Sequence, residues 1–252
     1  MDLAQQHKSR LRDYFDGIGF ERWSAIYGQA EVSRIRQTIR DGHAAMLAQA
    51  EAWLVEALRA DEGRGTKDER ASHTDADPSS VVLRPSSVLD AGCGTGLFTL
   101  ALARRGFGVT AVDIAPQMVA ATLAQARESG LSERVSGSAG DLEHVGGSFD
   151  AVVCFDVLVH YPQASFAQLL THLASLTRGP LLLTYAPREP LLAALHWLGG
   201  RFPHGQRRTD IQMIPEPFVR ATLAAVGMQV TRQARVSRGF YHVTLLEARR
   251  SG

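Results

Sequence analysis

Between Glu31 and Arg59 the apolar residues Val32, Ile35, Ile39, Met46, Ala50, Trp53 and Ala57 return at helical spacing, with Arg34, Arg36, Arg40 and Glu56 between them. Such a stripe predicts a long amphipathic helix with one apolar face. Ahead of it, Phe20, Trp23 and Tyr27 stand three and four apart, so they share one side of a shorter helix. A packing seam is the plain reading of these three rings. From Ala60 to Ser80 the pattern stops: charged residues, Gly, Ser and Thr dominate and no large apolar side chain occurs. This composition predicts a flexible linker, 60–80, between an N-terminal helical arm, 1–59, and a main domain, 81–252.

After Pro85 the pattern alternates. Ser87–Ala91 reads as a strand, Leu97–Arg105 as a helix, Val109–Asp113 as a strand, and Pro116–Ser129 as a helix with proline at its first turn. Further strands fall near Val135–Ser138, Asp150–Phe155 and Pro180–Tyr185. Strands alternating with helices over short loops predict a parallel sheet covered on both faces. Met228–Val236 and Phe240–Ala248 are two β-rich runs joined by a turn with Gly239, and they predict an antiparallel hairpin. The expected fold is α/β: a Rossmann-like, mainly parallel sheet ending in an antiparallel hairpin, with the helical arm added.

Composition narrows the function. With 252 residues and a formal net charge of +1, the chain accommodates one main core and presents no global field for nucleic acid or an anionic membrane. A small-molecule substrate fits better. The two cysteines, Cys93 and Cys154, lie in apolar stretches rather than in a disulfide framework, so reduced thiols in the cytoplasm are expected. No apolar run approaches the roughly 18 residues of a membrane span, and the N-terminus lacks a signal-peptide core.

The chemistry is concentrated after the first strand, in Asp90-Ala91-Gly92-Cys93-Gly94-Thr95-Gly96. Glycines make that turn tight and let a ligand approach the backbone, so a nucleotide-like ligand should lie across it. The spacing is G-x-G-x-G, not the dinucleotide G-x-G-x-x-G/A, and the Lys of a P-loop is missing. Asp113 closes the second strand about 20 residues further on, where a carboxylate can accept from both ribose hydroxyls. Asp141 follows the third strand, placed to accept from an adenine amino group or simply to cap a turn. Ile114, Met118 and Leu142 would flank the adenine, and Phe155 closes the fourth strand near the same site.

Together these motifs resemble the class I S-adenosylmethionine-dependent methyltransferases: Asp-Ala-Gly-Cys-Gly-Thr-Gly, then Val-Asp-Ile, Gly-Asp-Leu and Phe-Asp-Ala-Val-Val, in that order over 87–185. A second resemblance extends further. Tyr14-Phe15, Gly19-Phe20-Glu21-Arg22-Trp23, Ile26-Tyr27-Gly28 and Ile39-Arg40-Asp41-Gly42-His43 are similar to the start of the magnesium-protoporphyrin O-methyltransferase family. Val159-His160-Tyr161-Pro162 and Phe240-Tyr241 with Leu245-Leu246-Glu247-Ala248 are similar to it as well. The resemblance implies methyl transfer from S-adenosylmethionine to a propionate of magnesium protoporphyrin IX, a step of chlorophyll and bacteriochlorophyll synthesis. It implies a partner, the porphyrin-binding subunit of magnesium chelatase, and leaves room for loose membrane association. No protein-bound metal is expected, since the magnesium arrives within the substrate. The chain departs from the family pattern in its longer 60–80 stretch and in Gly239, which leaves one position of the substrate wall without a side chain.

A propionate resembles a Glu side chain, with a pKa of about 4.3, and at neutral pH is already the nucleophilic anion. Orientation in a dry pocket therefore matters more than a strong base. His160 and Tyr27 are the expected catalytic side chains: His160 hydrogen-bonds the carboxylate, and Tyr27 supplies an O–H to it or orients His160. Arg188–Pro215 is expected to cover the macrocycle and offer cations to the propionates. For His43, a lone helix histidine, a structural role outweighs axial ligation of the porphyrin magnesium. Two rival readings remain: a methyltransferase of another small carboxylate, phenol or quinone, and a binding protein that senses S-adenosylmethionine without turnover.

Overall fold

The structure is a computed structural model and describes residues 3–28, 31–72, 86–188 and 211–250. Three helices come first: α1 (Leu3–Phe15), α2 (Ile18–Tyr27) and α3 (Arg34–Ser72). Then follow β1 (Ser87–Ala91), α4 (Leu97–Arg104), β2 (Gly108–Asp113), α5 (Pro116–Glu128), β3 (Val135–Ala139), β4 (Ala151–Cys154), α6 (Gln163–Leu176) and β5 (Leu181–Pro187). The chain ends in β6 (Met213–Ile214), α7 (Glu216–Ala225), β7 (Met228–Arg238) and β8 (Tyr241–Arg250). Two short 3₁₀ turns, Leu142–His144 and Leu158–His160, follow β3 and β4.

The sheet order is β3-β2-β1-β4-β5-β8-β7, with β6 paired to β5. From β3 to β5 neighbouring strands are parallel. The hairpin inverts the chain order: β8 runs antiparallel between β5 and β7. This insertion brings the start of β8 near the C-terminal ends of β4 and β5, where open α/β sheets carry their ligands.

Two apolar layers hold the sheet. On one face Phe166, Leu169, Leu170 and Leu173 of α6 and Val219 and Leu223 of α7 pack on Leu89, Val152, Leu181, Leu183 and Leu246. On the other, Met46, Ala50, Leu54 and Leu58 of α3 join Phe98, Leu102, Val88, Val153, Leu182 and Leu245. The stripe read from the sequence is real only over its second half. Met46, Ala50 and Ala57 are buried, whereas Ile35 is exposed because α3 reaches the sheet only from about Ile39 onward.

The expected linker over 60–80 is corrected in part: α3 continues as helix to Ser72. Ala60, Glu62, Arg64, Lys67, Glu69 and Arg70 are good helix formers, and extending an existing helix is far easier than nucleating one. Residues 73–80 lie outside the described residues. So does 189–210, most of the segment expected to cover the substrate; its end returns as β6, beside β5.

Candidate functional site

The glycine loop is shaped by steric need. Gly92, Gly94 and Gly96 all have positive φ, +88°, +52° and +86°. A Cβ on Gly92 would lie 2.0 Å from Val157 Cγ2, and one on Gly96 would lie 2.8 Å from Thr122, so these two allow the loop to pack. Gly94 differs: a Cβ there would meet nothing within 4 Å. Its open side is the space a nucleoside could enter, and a loop of this form fits a donor laid against backbone.

Two buried carboxylates stiffen the loop. Asp113 accepts from Gly94 N at 3.0 Å and from Ala115 N at 2.9 Å. Burial raises the Asp113 pKa while these backbone N–H groups oppose the rise. Each carboxylate oxygen retains a further acceptor site. Asp90 accepts from Thr99 Oγ1 at 2.5 Å. Burial pushes its pKa up to about 6, against the Thr99 hydrogen bond and with help from the Asp113 charge. The Thr122 hydroxyl donates to Gly94 O at 2.9 Å and fixes the loop from below.

The remaining residues expected on the donor side separate into two groups. Met118 and Leu142 are buried and Ile114 is half-buried, all around the ends of β2 and β3. Phe155, expected near this site at the end of the fourth strand, has its ring edge-on against Phe98 at 5.0 Å in the core. Cys93 and Cys154 are free and buried, and burial raises both thiol pKa values. Asp141 accepts from Glu143 N at 3.1 Å, the capping role weighed above, and from Lys8 Nζ at 2.7 Å. Burial alone would raise its pKa, yet these bonds and the Lys8 charge hold it below the usual carboxylate range. Lys8 also pairs with Glu143 at 2.6 Å, so α1 is pinned over this end of the sheet.

His160 lies in the 3₁₀ turn after β4, buried under α1. Its carbonyl oxygen is 2.8 Å from His7 Nε2, and its ring meets Phe15 edge-on at 5.3 Å. Tyr27 has a different set of neighbours. Its ring is sandwiched between Trp23, with centroids 5.4 Å apart, and His43, at 4.2 Å and nearly parallel. Arg40 donates to the Ile26 and Ala25 carbonyls and secures the end of α2 that carries Tyr27. A cleft of about 350 Å³ opens here between α3 and Leu97, the first residue after the glycine loop. Tyr27, Arg40, His43, Leu47 and Glu51 line it.

Sequence reasoning missed Asp156. It follows β4 and accepts from Tyr241 Oη at 2.8 Å, while His43 Nε2 lies 3.8 Å from the same carboxylate oxygen. His43, expected to be structural rather than an axial ligand, has its Nε2 toward Asp156 and its ring stacked on Tyr27. Burial lowers the His43 pKa, with the Asp156 charge opposing. Burial and the same charge raise Tyr27 and Tyr241 well above the ordinary phenol value. The signal was present in part, because Asp156 directly follows a strand that points at the site. Gly239 is corrected too: at φ +56° a Cβ would lie 2.5 Å from Thr38, so this glycine lets the β7–β8 turn pack against α3 rather than leaving a gap in a substrate wall.

Residues 88–179 match a family described as methyltransferase domain, and residues 154–250 match the magnesium-protoporphyrin IX methyltransferase C-terminus. Magnesium-protoporphyrin O-methyltransferase of Synechocystis sp. is 34% identical over 251 residues, covering 99% of each chain. The chloroplastic magnesium protoporphyrin IX methyltransferase of Arabidopsis thaliana is 35% identical over 96% of this chain and 70% of that protein. A crystal structure of the Synechocystis enzyme with bound S-adenosylhomocysteine superposes with a TM-score of 0.80 at 33% identity, over 97% of this chain and all of that one.

Proposed function

The chain belongs to the magnesium-protoporphyrin O-methyltransferase family, and on that premise we propose that it methylates a propionate carboxylate of magnesium protoporphyrin IX with S-adenosylmethionine, giving a monomethyl ester. The match runs through the N-terminal arm as well as the donor domain. That extent favours this acceptor over another small carboxylate, a phenol or a quinone, for which only the donor domain need be shared. The porphyrin-binding subunit of magnesium chelatase is the partner this role would call for.

Bound S-adenosylmethionine supplies an electrophilic methyl group on a sulfonium. The open side of Gly94 would receive it, with the spare acceptor sites of Asp113 on the ribose hydroxyls. Asp141 would accept from the adenine amino group, and Ile114, Met118 and Leu142 would flank the ring. The acceptor arrives as an anion at neutral pH, so the site needs hydrogen-bond donors and alignment rather than a base. Tyr27 carries this reading. Burial and the Asp156 charge keep its phenol protonated, so it offers an O–H to a carboxylate beside a cleft that begins at the end of the glycine loop. His160 donates to the second oxygen once α1 gives way. The N-terminal arm, 1–59, would meet the acceptor beside the methyltransferase domain, 81–252, whose expected covering insertion of about 188–215 lies mostly outside the described residues.

Turnover of labelled S-adenosylmethionine with magnesium protoporphyrin IX, a catechol and a quinol tests the acceptor. Methylation of the porphyrin alone is expected; methylation of the catechol or quinol and not the porphyrin overturns it. His160→Phe should lower kcat by about 10- to 1000-fold while S-adenosylhomocysteine affinity stays within about threefold, as for a donor that acts mainly in the transition state.

A further inference from the structure

Asp156 is the one non-glycine residue with positive φ, +56°, among the described residues. A left-handed conformation is costly for an L-residue, least so for Asp and Asn, and such residues persist where their surroundings over-determine them. Here three contacts do so. The Asp156 N–H donates to Thr184 Oγ1 at 2.7 Å, and the Thr184 hydroxyl donates back to Asp156 Oδ1 at 3.1 Å. Tyr241 Oη donates to Oδ2. The twist turns the carboxylate away from the end of β4 and toward the arm, where Oδ2 faces His43.

Behind this cluster the packing is tight. A Cβ on Gly42, the residue before Tyr27's neighbour His43, would lie 2.7 Å from Tyr241 Cβ, so α3 approaches β8 as closely as a glycine permits. His43 meets Tyr241 edge-on and lies flat against Tyr27. The contacts form one chain across four elements and the turn after β4: Thr184 of β5, Asp156, Tyr241 of β8, His43 of α3 and Tyr27 of α2. Arg40 secures the backbone of Tyr27, but its ring direction depends on His43.

We infer that Asp156 is a positioning residue: held by Thr184 and Tyr241, it orients the His43 ring, and through that ring it sets the direction of the Tyr27 hydroxyl toward the acceptor carboxylate. The inference rests on the reading of Tyr27 as a hydrogen-bond donor to substrate. It assigns Asp156 no contact with substrate or methyl donor.

The test uses Asp156→Asn, because Asn tolerates the same left-handed backbone and keeps one acceptor oxygen while removing the charge. Tyr241→Phe is the second variant; it keeps the ring against Gly42 and removes the anchoring O–H. Each should lower kcat about 10- to 100-fold, with S-adenosylhomocysteine and magnesium protoporphyrin affinities within about threefold. In a Tyr27→Phe background the same Asp156→Asn change should cost less than about threefold, since residues acting through one another are not additive. A full, additive loss in that background overturns the inference, as does unchanged turnover in Asp156→Asn. Nitrogen-15 NMR of histidine-labelled, ligand-free protein reads the relay without turnover. Asp156→Asn should shift the His43 ring resonances, and unchanged resonances overturn the relay. If Tyr27→Phe is itself fully active, the reading of Tyr27 fails while the NMR result still decides whether Asp156 sets His43.

Discussion

The proposed donor half and the proposed acceptor half of the site are built on opposite plans. At the glycine loop nearly every polar group is satisfied within one stretch of chain, 90–122: Asp113 holds Gly94 and Ala115, Asp90 holds Thr99, and Thr122 holds Gly94. At the acceptor side, Tyr27, His43, Asp156, Thr184 and Tyr241 come from five separate parts of the chain and meet through side chains. A loop braced by its own backbone can serve any methyl acceptor. A cluster gathered from distant elements can be tuned to one acceptor without disturbing the donor, because the two halves share little hydrogen bonding.

The largest effect should come from breaking the donor half where it is open. A side chain at Gly94 meets no protein atom, yet it strains a φ of +52° and projects into the space assigned to the donor. Gly94→Val should weaken S-adenosylhomocysteine binding by about 1000-fold, roughly 4 kcal/mol, with a near-native circular dichroism spectrum. Calorimetric affinity within threefold of the parent chain would contradict that placement.

A smaller effect concerns the buried charge of the same half. Burial raises the Asp90 pKa to about 6 from the ordinary 3.8. A carboxyl with a raised folded-state pKa contributes stability that is fully present below the unfolded value and lost as pH climbs through the folded one. Two units correspond to about 3 kcal/mol, lost mainly between pH 4 and pH 6. Asp90→Asn keeps an acceptor for Thr99 and removes the titration. By urea unfolding it should exceed the parent chain by about 1–3 kcal/mol at pH 8 and match it near pH 4. A parallel pH dependence in the two chains would show that Asp90 is not the group responsible.

The smallest change sharpens the comparison from the acceptor side. Alanine is worth about 1 kcal/mol more than glycine inside a helix, but at Gly42 its Cβ would collide with Tyr241 at 2.7 Å, an overpacking cost of about 1–3 kcal/mol. The collision wins and displaces the Tyr241 hydroxyl from Asp156. Gly42→Ala should lower kcat about tenfold, near 1.4 kcal/mol, with donor affinity within about threefold. Equal losses in donor binding and turnover would mean that the halves are mechanically coupled after all.

The strands of the sheet, the glycine loop and the carboxylates at the ends of β2 and β3 were legible because each is a local pattern: alternation, glycine spacing, an acid at a strand end. The antiparallel pairing of Met228–Arg238 with Tyr241–Arg250 was legible for the same reason, but the insertion of β8 between β5 and β7 was not. Which face the Phe155 ring takes was not legible, because alternation along a strand gives two faces without saying which one packs, and here the ring lies against Phe98 in the core. The continuation of α3 through 61–72 was hidden by a polar composition that a helix already started can carry.

By itself, then, the sequence determined the glycine loop and the carboxylates that brace it, since backbone conformation and short-range hydrogen bonds are dictated by neighbouring residues. It also presented Tyr27, His43 and Tyr241 inside strings that resemble one family, without saying that they touch. Only the tertiary structure decided that they meet. The link from Tyr27 through His43 to Tyr241 depends on α3 lying against β8, on Gly42 and Gly239 permitting that approach, and on the left-handed twist that turns Asp156 toward the arm. No window of sequence contains all of those conditions, because each is a distance between elements that the chain brings together only when the sheet has formed.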